Sequence, residues 1–156
     1  ELKIGDWAKL KLPFGKFIFE GEYKKIAFLS GGIGITPIRS ICKFATDTKI
    51  DSEITLFYSN HRPEDMVFKD DFDQMQLQNN KLRVIHTLTC PDPMPEWQGL
   101  RGYINEGLIK AQMDDFNERV FYLCGPPKMV EAMAQLLKER MCIAPQKIIT
   151  ENFSGY

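Results

Sequence analysis

Three glycines in a row of four residues, Gly31-Gly32-Ile33-Gly34, constrain this chain more than any other feature. They follow directly on an apolar run, Lys25-Ile26-Ala27-Phe28-Leu29, and lead into Ile35-Thr36-Pro37. Strand, glycine-rich turn and helix start, in that order, build a seat for a phosphate. Glycine lets the backbone approach a ligand, and the helix start offers unpaired N–H groups and partial positive charge. Thr36 is placed to cap the helix and meet a phosphate or ribose. Pro37 suits a first helical turn, where its missing N–H costs nothing. The glycines stand closer together than in the G-x-G-x-x-G dinucleotide fingerprint, so a purely structural tight turn is the alternative.

Strands are expected near 25–30, 54–60, 81–89, 119–124 and 147–152, each rich in β-branched, aliphatic or aromatic residues. Helical spacing of apolar residues falls between them. Ile38, Ile41, Cys42 and Ala45 define one helix, and Phe68, Phe72 and Met75, with Leu77 at the end, define a second. Asn105 is a good N-cap for a third helix, to Met113. Pro127 to Arg140 carries the clearest stripe: Met129, Val130, Met133, Leu136 and Leu137. The loop Cys90 to Gly99 holds three prolines and reads as irregular, with Trp97 either covering a site or packing. The alternation predicts an α/β fold, a three-layer α/β/α sandwich around a parallel sheet of five strands or slightly more. Ligands bind such sheets at the carboxyl ends of strands. That rule selects Gly31–Pro37, Ser59–Arg62, Thr87–Thr89, Cys124–Lys128 and Glu151–Tyr156.

The 156 residues suit one domain. Residues 1–20 differ in character from 21–156. Trp7 to Leu12 alternates, Phe17-Ile18-Phe19 follows, and Pro13-Phe14-Gly15 lies between as a turn, so this part reads as a hairpin from a β-rich neighbour. The opening Glu1-Leu2-Lys3-Ile4 has neither initiator methionine nor signal-peptide character, and is expected to lie within a longer protein. Twenty basic residues balance 21 acidic ones without a basic stripe, which argues against nucleic acid as a partner. No apolar run is long enough to predict a membrane span. Cys42, Cys90, Cys124 and Cys142 form no C-x-x-C pair, so no metal site is expected, and their spacing favours reduced thiols and a cytoplasmic protein. His61 and His86 fit no metal spacing and read as surface or structural. Asp70, Asp71 and Asp73 read as a solvated helix face.

A second motif, Cys124-Gly125-Pro126-Pro127-Lys128-Met129, ends a strand and opens the clearest helix. It puts a small soft side chain at the binding edge, although burial is the commoner fate of cysteine. Together with Gly31-Gly32-Ile33-Gly34-Ile35-Thr36-Pro37 it resembles the pyridine-nucleotide domain of the ferredoxin–NADP reductase superfamily. Phe57-Tyr58-Ser59-Asn60-His61-Arg62, Gly102-Tyr103-Ile104 and Glu151-Asn152-Phe153-Ser154-Gly155-Tyr156 resemble further family segments, in family order. Pro13-Phe14-Gly15-Lys16-Phe17 resembles the end of the family's flavin-binding barrel, so residues 1–20 would be a barrel remnant and 21–156 the NAD(P)-binding domain.

The resemblance implies roles. Gly31, Gly32, Gly34, Ile35, Thr36 and Pro37 would receive the pyrophosphate and nearby ribose. Ser59, Asn60 and Arg62 would flank the adenosine ribose, with Thr89 at the same edge and Gly125, Pro126, Lys128 and Met129 in the second motif. Cys124 and Glu151 would lie near the nicotinamide as the catalytic pair, aligning its C4 with the flavin N5. Phe153 and Tyr156 would stack on flavin or nicotinamide, or pack as a terminal strand. Arg62 could pair bidentately with a 2′-phosphate, and no acidic residue ends that strand to claim a 2′-OH. NADP is therefore slightly favoured, with NAD open. FAD would be held mainly by chain upstream. The implied activity is hydride transfer from NAD(P)H to FAD, then electron transfer to a ferredoxin, flavodoxin, haem or iron–sulfur protein, or an oxygenase component. A flavin reductase and a non-catalytic nucleotide-binding or electron-transfer protein remain alternatives.

Overall fold

A computed structural model describes residues 3, 5–7 and 17–152. Six parallel strands form one sheet: β1 (Lys25–Gly31), β2 (Glu53–Asn60), β3 (Leu82–Leu88), β4 (Leu100–Arg101), β5 (Val120–Gly125) and β6 (Ile148–Asn152). Their order across the sheet is β4-β3-β2-β1-β5-β6. The chain works outward from β1 through β2 and β3, then returns to lay β5 on the other side of β1. The order therefore reverses between β1 and β5, where an open α/β sheet leaves a crevice.

Helices α1 (Ile35–Asp47) and α2 (Lys69–Gln78) cover one face; α3 (Glu106–Gln112) and α4 (Pro127–Gln135) cover the other. Alternation along each strand feeds both cores. Ile26, Phe28, Leu56, Tyr58 and Tyr122 point toward α1 and α2, against Ile38, Cys42 and Phe72. Ala27, Leu29, Phe57, Phe121 and Leu123 point toward α3 and α4, against Ile109, Val130 and Leu137. Both faces are covered, so the inner strands read as continuous apolar runs rather than alternating ones.

The expected strands and helices are present, with shifted ends. The helix after the glycines begins at Ile35, preceded by a 3-10 turn over Gly32–Gly34, so Thr36 lies inside the first turn and Gly34 holds the cap position without a side-chain bond. Asn105 caps α3 as expected, its Oδ1 accepting from the Leu108 N–H at 2.9 Å. α4 continues into a wider π turn over Leu136–Arg140. Leu77, assigned to the buried face of α2, is 80% exposed. Trp97 packs: its Nε1–H donates to the Leu100 carbonyl at 2.9 Å.

The hairpin expected over 7–19 lies largely outside the described residues. Its last residues dock on the sheet. Phe19 is buried, Phe17 meets Tyr122 edge-on with centroids 5.2 Å apart, and the Tyr122 hydroxyl donates to the Ile18 carbonyl at 2.9 Å.

Candidate functional site

The two glycine motifs interlock backbone to backbone at the β1–β5 switch. Gly34 presses against the Cys124–Gly125 peptide: a Cβ there would stand 2.6 Å from the Gly125 Cα. A Cβ on Gly31 would stand 2.6 Å from the Met129 Sδ, and one on Gly125 would stand 3.2 Å from the Gly31 carbonyl oxygen. Gly32 differs. Its φ is +51° and the space beside its α-carbon is open. Gly34, Gly31 and Gly125 thus let two loops touch, while Gly32 supplies a left-handed turn on the open side.

A cleft of about 980 Å³ opens over this junction. Gly31, Gly32 and Ile33 form its floor beside β1. Ser59, Asn60 and His61 continue the floor from β2, and Thr89 from β3. Pro126, Lys128, Met129, Ala132 and Met133 make the α4 wall, and Tyr103 and Ile104 stand at the wall that leads into α3. Glu64, Asp65 and Val67 close the far end. Two helix starts, those of α1 and α4, meet at the glycine end, with the exposed Lys128 in the first turn of α4. That end is suited to an anion. The other end carries two carboxylates.

Asn60 is the most telling residue. It is 5% exposed and lines the cleft, and neither its Oδ1 nor its Nδ2 makes a hydrogen bond of good geometry within the protein, although the Tyr58 hydroxyl lies close by. A buried amide with both ends unpaired is costly unless a ligand or water completes it. Its backbone is fixed: the Thr89 N–H donates to the Asn60 carbonyl at 2.9 Å, and the Thr89 hydroxyl donates to the same oxygen at 3.2 Å. The carboxamide therefore waits on rigid β2 for a group offering both donor and acceptor, as ribose hydroxyls do.

Of the residues assigned to binding, Gly31, Gly32, Ser59, Asn60, Thr89, Pro126, Lys128 and Met129 line this cleft. Gly34, Gly125 and the fully buried Ile35 lie behind it, as packing of the junction. Thr36 is exposed at the start of α1, and Pro37 faces a shallow groove beside Phe17 and Phe19. Arg62 is not among the lining residues; its Nη2 donates to the Asp92 Oδ2 at 2.7 Å. Cys124 is fully buried, with its α-carbon in register between Ser30 on β1 and Glu151 on β6. Burial, and secondarily the Glu151 carboxylate, push its thiol up to about 12, so at neutral pH it is a protonated thiol. Phe153 and Tyr156 lie outside the described residues.

Glu64, Asp65 and Val67 line the cleft although nothing in the sequence singled them out; His61, within the selected Ser59–Arg62 segment but read as surface or structural, and Tyr103, of the Gly102-Tyr103-Ile104 segment, line it too. No acidic residue ends β2 itself. Glu64 and Asp65 stand just past it, in a 3-10 turn over Pro63–Asp65 that turns them back to the cleft. Among the described residues no group of three potential ligands could hold a metal ion, and no helix is long and apolar enough to cross a membrane.

A glycine-floored cleft at the switch point of a parallel sheet, with an anion seat at one end and polar groups at the other, defines a dinucleotide-binding α/β domain. Residues 28–135 match the family model described as the oxidoreductase NAD-binding domain, and the chain belongs to that family. It is 31% identical over 158 aligned residues to a component of the Na(+)-translocating NADH-quinone reductase of Pseudoalteromonas atlantica, covering 99% of this chain and 38% of that protein. The chain thus spans about two fifths of the length of the curated relatives it matches. Among solved structures, the FAD/NAD-binding domain of nitric oxide dioxygenase from Vibrio cholerae superposes with a TM-score of 0.77 at 20% identity, over 92% of this chain and 56% of that one. The ferredoxin reductase in carbazole 1,9a-dioxygenase superposes with a TM-score of 0.69 at 27% identity, over 84% of this chain and 38% of that one.

Proposed function

We propose that this chain is the NADH-docking part of a flavin-dependent oxidoreductase. It would present NADH to an FAD held by polypeptide beyond residues 21–156, with residues 1–20 as the end of that flavin-binding part. Electrons would pass onward to a quinone, a one-electron carrier such as a ferredoxin, flavodoxin or haem protein, or an oxygenase component. The names of the relatives support this reading: a component of an NADH-quinone reductase and the ferredoxin reductase of a dioxygenase. Cytoplasmic exposure of the domain is part of the proposal, supported by four free cysteines, three of them buried.

The residues divide the work. The Gly31–Ile33 turn, the α4 N-terminus and Lys128 would hold the pyrophosphate. Asn60 and Ser59 would bond the adenosine ribose, and Met129, Met133 and Ile104 would exclude water along the cleft. When bound, the nicotinamide supplies the hydride chemistry. Cys124, a fully buried neutral thiol that is not part of the cleft lining, would act from behind the ring by shaping the end of β5 rather than by contact or nucleophilic attack; hydride transfer needs distance and angle more than an acid or base.

NADH rather than NADPH is favoured by one observation that the sequence did not offer. Glu64 and Asp65 face the cleft while Arg62 is tied to Asp92. Carboxylates accept from a 2′-OH and repel a 2′-phosphate. The test is a paired calorimetric titration of the protein with NADH and NADPH at one fixed salt concentration. Saturable binding with NADH the tighter ligand is expected. Tighter NADPH would overturn the preference, and binding of neither would overturn the docking role.

A further inference from the structure

We infer that Asp92 sets nucleotide choice by withholding Arg62 from the cleft, a step that rests on the nucleotide-docking role above. Arg62 is placed by its backbone at the adenosine end. His61 before it and Glu64 and Asp65 after it all line the cleft. Its own N–H donates to the Asp65 carboxylate at 2.9 Å, so the main chain is held there. Only the guanidinium turns away, to the Asp92 Oδ2.

Asp92 is itself held in place. Arg101 donates to the backbone carbonyls of Cys90 and Asp92 at 2.8 and 2.6 Å, and the Cys90 thiol donates to the Asp92 Oδ2 at 3.3 Å. The Cys90 N–H in turn donates to the His61 carbonyl at 3.0 Å, stitching the loop to the β2 end. The result is a held carboxylate competing for a guanidinium whose backbone stands at the adenosine end of the cleft. The Arg62 and Asp92 side chains are 45% and 60% exposed and such pairs are weak, so withholding Arg62 is worth only a few-fold in affinity. Asp92 is thus a positioning residue, acting on the nucleotide only through Arg62.

Four proteins test this: the parent, Asp92→Asn, Arg62→Ala and the double variant, each titrated with NADH and NADPH at low and at physiological salt. Asp92→Ser is the second version of the release, should the asparagine still hold the guanidinium. Release of Arg62 is expected to shift the ratio of the two dissociation constants toward NADPH by about two- to fivefold, less at higher salt. Arg62→Ala should leave the parent ratio unchanged, and the double variant should match Arg62→Ala. A ratio that stays flat in both Asp92 variants overturns the inference, as does a loss of NADPH affinity in Arg62→Ala alone. In either case NADH binding by the parent keeps the docking role intact. Binding of neither nucleotide by the parent overturns that role and this inference together.

Discussion

Gly34 lies against the carbonyl of Cys124 so closely that no side chain fits between them. A methyl group on Gly34 would meet the Cys124 carbonyl oxygen and carbon, and stand 2.6 Å from the Gly125 α-carbon. The obstacle is backbone on both sides, which cannot swing aside as a side chain can. Gly34→Ala is therefore expected to cost about 3 kcal/mol of stability, and to lower nucleotide affinity only as a consequence. Gly32→Ala meets no atom within 4 Å and bears only its positive φ, a cost of about 1 kcal/mol. Urea unfolding of the two variants separates these roles; equal losses would refute the contrast.

Asn60 gives the opposite signature. Its buried amide makes no hydrogen bond of good geometry within the protein, only an approach to the Tyr58 hydroxyl, so removing it relieves a desolvation cost and breaks no strong bond. Asn60→Ala is expected to leave the unfolding midpoint unchanged or raised, and to weaken NADH binding about tenfold. A lower midpoint with unchanged affinity would show that the amide serves the fold and not the ligand.

Much of this architecture was legible because its signals are local. The apolar runs of β1, β2 and β5 mark doubly covered strands, and Asn105 announces the start of α3 through its own side chain. The glycines of both motifs marked the binding edge. What they do there was not legible: Gly34 and Gly125 serve a contact between segments far apart in sequence, which no spacing rule encodes. β4 is two residues long, beside a proline-rich loop, too short to carry a period. Helix α1 starts ahead of its apolar stripe because a 3-10 turn leads into it without a capping side chain. Glu64 and Asp65 give no signal in sequence because they lie after the strand, and only the turn geometry aims them at the cleft. The Arg62–Asp92 pair links positions 30 apart in sequence, so Arg62 read as available.

The four thiols should react in an order set by burial. Cys42 and Cys124 are buried with thiols raised well above the ordinary range, and Cys90 is buried, whereas Cys142 is exposed. With its thiol pushed up to about 12 by burial, Cys124 stays almost wholly protonated at pH 8. Iodoacetamide at pH 8 followed by peptide mass spectrometry should find Cys142 modified first, with Cys124 protected until unfolding. Modification of Cys124 at the rate of Cys142 would contradict its placement as a buried neutral thiol.

His86 makes the fold sensitive to mild acid. Both its ring nitrogens are buried without a protein partner, and its ring lies 5.8 Å from that of Tyr58. Burial is the main cause that pulls its pKa below the ordinary histidine value; the Lys69 charge adds to this and Asp73 opposes it. The unfolded chain therefore takes up this proton first as the pH falls through about 6.5. Stability due to the neutral ring is complete above that pH and is lost on the way down to the folded value, at up to about 1.4 kcal/mol per pH unit. Asp51 and Asp115, both held below the usual carboxylate value, lose their contributions only at lower pH. Urea midpoints at pH 7.5, 6.5 and 5.5 should fall for the parent protein, and His86→Phe should flatten the slope. A slope unchanged by the substitution would place the acid sensitivity in some other group.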